Sequence, residues 1–199
     1  MSNFDSICYV CKGKSNYFNV HNNCKENVYY DKLIILSHYK NKDISKMIKD
    51  FKFYSKKDIS EDFGYYLSEL FFENEIYKNI DDYIIIFPPM GFFKKIKRGY
   101  NHSELLAKII SQNIKIKLGK GYIKKVKQTR QQSKLSRKER LINLDNSFKI
   151  TKNKLDKIDN KIFILVDDVV STGTTINEIS KILKNAGAKK IIGLVIASD

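Results

Sequence analysis

The chain is short of cysteine, of arginine and of acidic charge, and it has no long apolar run. Its three cysteines all fall before residue 25, which excludes a paired disulfide framework and turns attention to metal binding in a reducing compartment. No stretch approaches the ~20 apolar residues of a membrane-spanning helix, and the opening residues lack the basic and apolar regions of a secretory leader. A soluble, cytoplasmic protein without membrane insertion is the expectation. No internal repeat or low-complexity segment is visible. What is present is core material: 199 residues, 42% hydrophobic, with 24 Tyr and Phe together, which argues against wholesale disorder.

The formal net charge is +15, carried by 33 lysines and four arginines against 22 acids. A lysine-rich composition alone would spread that charge along the chain. Instead, residues 94–140 hold sixteen basic side chains against Glu104 and Glu139, fourteen of the fifteen net charges. All four arginines (Arg98, Arg130, Arg137, Arg140) lie there too. Arginine offers a planar, permanently charged fork that suits phosphate. A solvated basic face is the bland alternative. The functional one is a polyanion, nucleic acid or pyrophosphate, with Lys94, Lys95, Lys97, Lys124, Lys125, Lys127 and the arginines at 130, 137 and 140 as candidate nucleic-acid contacts.

Periodicity predicts a short strand at 33–36, amphipathic helices at 43–53 and 58–75 with acidic N-caps, and a buried strand at 83–87 closed by Pro88-Pro89. It continues with a helix at 103–112 near a possible Asn101 cap, a strand at 121–126, and a polar basic loop leading to a short helix capped by Ser136. Strands at 161–166 and 190–196 then flank a helix at 174–186 that Gly187 ends. Strands alternating with helices imply an α/β domain whose mostly parallel sheet is flanked by helices. The domain boundary is expected near residue 30: a hairpin at 1–29, then the α/β domain at 30–199.

At 162–175 an apolar strand runs into Asp167 and Asp168, then into Ser171-Thr172-Gly173-Thr174-Thr175, which opens a helix. Open α/β sheets bind ligands at the carboxyl ends of their strands. Small residues, a glycine and a helix N-terminus together let backbone amides converge on a phosphate. Carboxylates at one end and a phosphate cradle at the other suit a ribose 5-phosphate, with the acids accepting from its diol. An ordinary polar turn explains Ser171 or Thr174 but not two adjacent acids.

This stretch closely resembles the 5-phosphoribosyl-1-pyrophosphate (PRPP) motif of type I phosphoribosyltransferases. The resemblance implies Asp167 and Asp168 as the catalytic, ribose-gripping carboxylates, Ser171 to Thr175 as the 5′-phosphate loop, and Mg2+ accompanying PRPP. Further segments narrow it: Pro88-Pro89, then Lys97-Arg98-Gly99-Tyr100-Asn101-His102, then Thr129-x-x-Gln132-x-x-Leu135, Arg140 and Asn143. With the cysteines ahead of them, these resemble the ComF (ComFC) family of competence-associated phosphoribosyltransferase-like proteins across essentially the whole chain. His102 stands where that family usually has glutamine, and Pro88-Pro89-Met90 replaces its usual Pro-Val-Pro-Leu. Arg98 is placed to reach the pyrophosphate of PRPP. Residues 128–140 match a mobile hood over the substrate. Lys52 matches a family lysine in an F-K-Y-like stretch, without a derivable role.

Cys8-x-x-Cys11 and His21-x-x-Cys24 have the ligand spacing of a structural Zn2+ site with every position filled by protein. A decayed site with reduced thiols is the alternative. So small a segment has too little apolar surface to fold unaided. Changing Cys8 or Cys11 is expected to destabilise residues 1–28 without directly touching the PRPP contacts. Three functions follow. The first is a PRPP-binding protein handling incoming single-stranded DNA in the cytoplasm, with the competence translocation machinery as a further partner. The second is a nucleobase or amine salvage phosphoribosyltransferase. The third is a PRPP-sensing regulator that binds nucleic acid.

Overall fold

The apolar run at 162–166 forms the first half of the central strand in the computed structural model, which describes residues 6–54, 57–75, 79–91, 96, 99–126 and 146–199. In chain order the strands are β1 (Lys32–His38), β2 (Tyr83–Ile86), β3 (Lys117–Leu118), β4 (Ile123–Lys125), β5 (Phe148–Ile150), β6 (Ile162–Val170) and β7 (Lys190–Ser198). Five of them form an all-parallel sheet in the order β1-β7-β6-β2-β3. Phe163, Ile164, Leu165 and Val166 on β6 have no exposure, nor have Leu33, Ile34 and Ile35 on β1 or Ile191, Ile192, Leu194 and Val195 on β7. Successive side chains point to opposite faces, so continuous burial requires cover on both.

The helices among the described residues are α1 (Lys42–Tyr54), α2 (Lys57–Asn74), α3 (His102–Ile114) and α4 (Thr174–Asn185). Asn101 caps α3: its side chain accepts from the Ser103 amide at 3.2 Å, while its Nδ2 donates to the Pro88 carbonyl at 3.0 Å. One residue thus starts a helix and ties it to the prolyl turn after β2, a cap worth ~1 kcal/mol. The cap of α1 differs from expectation. Asn41 Oδ1 accepts from the amides of Asp43 and Ile44, leaving Asp43 in the first turn, where its charge complements the helix dipole. α2 and α3 approach closely, since a Cβ on Gly64 would stand 2.3 Å from Ile109 Cγ2.

The chain leaves β2 through α3 to β3 on one side of the sheet and leaves β6 through α4 to β7 on the other. The two connections diverge between β2 and β6, a topological switch point. Register then opens it. β2 ends at Ile86 opposite Leu165, whereas β6 stays paired to β7 as far as Val170 opposite Ser198. The acid pair therefore lies inside β6 rather than after it, on the stretch that has lost its β2 neighbour.

Two other elements depart from the sequence reading. The segment at 121–126 yields β4, which pairs antiparallel with β5 outside the main sheet. The two-residue β3 carries too few residues for any periodicity to announce it. The short helix expected after Ser136 lies outside the described residues. At the amino edge of the sheet, Glu75 gathers Lys32 Nζ at 2.7 Å, Lys190 Nζ at 2.5 Å and the Tyr83 hydroxyl at 3.2 Å. Lys32 and Glu75 side chains are each 4% exposed.

Candidate functional site

Asp167 and Asp168 sit on the open side of β6, and each is held differently. Asp167 Oδ1 accepts from Ser103 Oγ at 2.8 Å and from the Asp168 amide at 3.0 Å. Asp168 Oδ1 accepts from the Val169 amide at 2.6 Å, and its Oδ2 pairs with Lys52 Nζ at 2.9 Å. Ser103 arrives from the first turn of α3 and Lys52 from the last turn of α1. The carboxylate-lysine pairing does not exhaust the site, because each carboxylate oxygen has two acceptor positions.

The two acids split in charge. Withdrawal from water pushes the Asp167 carboxyl up, and the neighbouring Asp168 charge adds to it, to about 7, against the opposing pull of Ser103. Burial also works against Asp168, but Lys52 outweighs it and leaves that carboxyl below its ordinary value, with a smaller contribution from His102. Paired titratable groups driven apart in this way mark functional crevices more often than ordinary surface.

Beyond Val170 the chain turns through Ser171 and Thr172 to Gly173, whose φ of +73° and ψ of −1° suit glycine and place it as the N-cap of α4. Thr172 Oγ1 and Thr174 Oγ1 lie 2.7 Å apart, which folds both hydroxyls into the bend. Asp167, Val169 and the run 170–176 line one cleft. It brings one carboxylate and a helix N-terminus to a single small space of about 20 Å³. A larger cavity of about 630 Å³ opens at the opposite edge, beside Tyr83, Lys117, Tyr122 and Lys161. It lies at the amino ends of the strands, away from the crevice where open α/β sheets bind ligands.

Cys8, Cys11, His21 and Cys24 come together with their donor atoms all within 4.8 Å of one another. His21 Nε2 lies 2.9 Å from the Lys14 carbonyl, an acceptor only, so that nitrogen carries the proton. The lone pair is then on Nδ1, 3.3 Å from Cys11 Sγ and aimed into the cluster. Burial disfavours the Cys8 thiolate, but amide hydrogen bonds from Cys11, His21 and Val10 prevail and bring it down to about 7. Burial and the other two thiols push Cys24 up to about 11. Three crowded thiols cannot all ionise without a cation among them, and the donor set could hold a metal such as zinc.

This knuckle adjoins the α4 bend. The Tyr9 hydroxyl donates to the Ser171 carbonyl at 2.7 Å, and a Cβ on Gly173 would stand 3.4 Å from the Tyr9 ring. Tyr29 N donates to Asn177 Oδ1, in the first turn of α4, at 2.8 Å. Lys12 Nζ lies 3.5 Å above the Tyr9 ring.

Of the basic candidates, Lys124 is exposed and directly opposes Lys149 across the β4–β5 pair. Lys125 is half-buried with its Nζ 5.9 Å from the Phe148 ring centre. Lys94, Lys95, Lys97, Arg98, Lys127, Arg130, Arg137 and Arg140 lie outside the described residues. Sequence reasoning missed Ser103 and Tyr9, and it found Lys52 without a role. The signal for Lys52 was its match to a family lysine set between two aromatics, and nothing local distinguishes Ser103 or Tyr9. His102, one of the two departures from the family pattern, is 2% exposed and packs edge-on between Phe51 and Tyr100.

Residues 101–199 match the phosphoribosyl transferase domain family. Competence protein F of Haemophilus influenzae is 33% identical over 188 residues, covering 92% of this chain and 81% of that protein. DNA utilization protein YhgH of Escherichia coli O6:H1 is 30% identical over 107 residues, which is 54% of this chain and 45% of that protein. The same-named protein of Salmonella typhi is 30% identical over a stretch of equal length.

Proposed function

From a chain that belongs to the ComF family of competence-associated phosphoribosyltransferase-like proteins, we propose a PRPP-binding protein that handles incoming single-stranded DNA in the cytoplasm. The β2–β6 crevice is its sugar-phosphate site. Asp167 and Asp168 take the ribose diol, and Ser171, Thr172, Gly173, Thr174 and Thr175 take the 5′-phosphate. The observation that carries the reading is the shared cleft: one acid of the pair and the whole hydroxyl-rich bend line the same space. Acceptors for a diol and amides for a phosphate are then separated by a few residues of one strand–helix turn.

Mg2+ would enter with the pyrophosphate of PRPP and neutralise part of its charge. This chain's own residues bind and orient. Lys52 and Ser103 hold the acids, Gly173 admits close backbone approach, and Tyr9 braces the bend from above. Zinc in the four-ligand cluster would keep Tyr9 in place. Nucleic acid belongs to the reading through the charge at 94–140 and through the relatives' names, competence protein F and DNA utilization protein. The hairpin at 1–29 and the α/β domain at 30–199 are its two units.

Calorimetric titration with PRPP and Mg2+ tests the crevice. Saturable one-site binding is expected, and a flat titration at millimolar PRPP would remove the assignment.

A further inference from the structure

The ammonium of Lys52 lies 2.9 Å from Asp168 Oδ2, with the lysine side chain 21% and the carboxylate side chain 14% exposed. It reaches that position from a braced helix. The Tyr100 hydroxyl donates to the Phe51 carbonyl in the last turn of α1, and the Phe51 ring packs edge-on against His102 with centroids 5.7 Å apart. Among the described residues, the charged and titratable groups facing Asp168 are Lys52 from α1, Asp167 beside it on β6, and His102 from α3. Asp167 has a different partner, the Ser103 hydroxyl. Two adjacent carboxylates withdrawn from water disfavour each other's charge, and a cation beside one of them settles the charge there.

We propose that Lys52 is the positioning residue of the acid pair, selecting Asp168 as its charged member and leaving the Asp167 carboxyl as the one that takes up or gives a proton. A fixed acceptor beside a group able to donate matches a vicinal diol, whose hydroxyls each do both. The inference rests on the crevice being the sugar-phosphate site proposed above. The opposite displacements of the two carboxyls agree with it.

Carbon-13 NMR titration of the aspartate carboxyls tests Lys52 without any ligand. Wild type, Lys52→Arg and the neutral variants Lys52→Met and Lys52→Gln are compared. Asp168 should titrate below the ordinary aspartate range in wild type and in Lys52→Arg, and above it in both neutral variants. An unchanged Asp168 titration in Lys52→Met and Lys52→Gln overturns the proposal. A second measurement reads binding of ribose 5-phosphate by calorimetry at about pH 6 and about pH 8. The neutral variants should lose on the order of tenfold more affinity at the lower pH, equivalent to one pKa unit, and Lys52→Arg should restore the wild-type profile. Equal losses at both pH values, or a loss confined to PRPP and inorganic pyrophosphate, would mean that Lys52 meets the ligand's charge directly, and would also overturn the proposal. Wild type that binds no ribose 5-phosphate at all defeats the crevice reading, while the carboxyl titration still decides the role of Lys52.

Discussion

The hydroxyl of Tyr9, one residue after Cys8 of the cysteine–histidine cluster, donates a hydrogen bond to the carbonyl of Ser171, the first residue of the bend that opens α4. The cysteine knuckle and the candidate phosphate loop are therefore in contact. Cys8, Tyr9, Phe18, Val20, Cys24 and Tyr30 also belong to the same buried cluster as the sheet. The N-terminal segment thus packs against the crevice's bend as well as against the core.

Stripping metal with a chelator should therefore loosen the bend as well as the knuckle. Amide exchange at 171–176 is expected to rise together with that at 8–24, and PRPP affinity to fall. Tyr9→Phe isolates the contact. It should cost about 0.5–1.5 kcal/mol, the worth of one hydrogen bond, and raise the PRPP dissociation constant with the metal still bound. Faster exchange in the knuckle alone would mean that the contact transmits nothing.

Asp167→Ala combined with Asp168→Ala should abolish PRPP binding and leave the fold intact by circular dichroism. Each charge-assisted hydrogen bond removed is worth roughly 1.5–3 kcal/mol, so the double change is easily detected. Retained affinity would end the ribose assignment.

The Asp167 carboxyl, raised to about 7, also makes a stability prediction. The folded protein holds this proton at pH values where the unfolded chain has already lost it. Stability contributed by the neutral form is complete below the ordinary aspartate range and drains away as pH climbs toward 7. Asp167→Asn should accordingly raise the melting temperature at about pH 8 and change it little at about pH 4. Thermal scans at the two pH values check this, and a gain of equal size at both would point to packing instead of charge.

Glu75→Ala strands Lys32 at 4% exposure beside the Asn74 carbonyl, and removes one acceptor of the Tyr83 hydroxyl. Breaking a buried pair from one side costs about 3–5 kcal/mol. Urea denaturation should show a loss of that order, whereas replacing Lys161, whose contact with Asp82 is 3.7 Å long and exposed, should change little.

Lys124 and Lys149 oppose each other across β4 and β5, an arrangement that costs stability unless an anion lies over it. If single-stranded DNA is that anion, the logarithm of affinity falls linearly with that of salt. Lys124→Ala with Lys149→Ala should then flatten the slope by about 1.4, or ~0.7 for each phosphate that is no longer neutralised. A slope unchanged by the double replacement would exclude this ribbon from the DNA surface.

The family, the order of the main elements, the acid pair with its glycine bend and the cysteine–histidine cluster were all legible in the sequence. Each is local, carried by spacing within a few residues or by a run of apolar side chains that a buried parallel strand requires. Where reading along the chain failed, the cause was pairing between distant residues. The segment at 121–126 was legible as a strand, but its antiparallel pairing with β5 outside the main sheet was not. The acids looked like the end of a strand, but β7 keeps β6 extended as far as Val170 while β2 stops at Ile86.

Sequence alone determined which chemical groups the protein brings to its crevice, because carboxylates, a glycine bend and a knuckle of thiols are properties of short segments. Only the tertiary structure decided what those groups touch. Lys52 is 116 positions from Asp168, Ser103 is 64 from Asp167 and Tyr9 is 162 from Ser171. Contacts over such separations are set by how helices cross a sheet, and no local pattern of residues encodes that crossing.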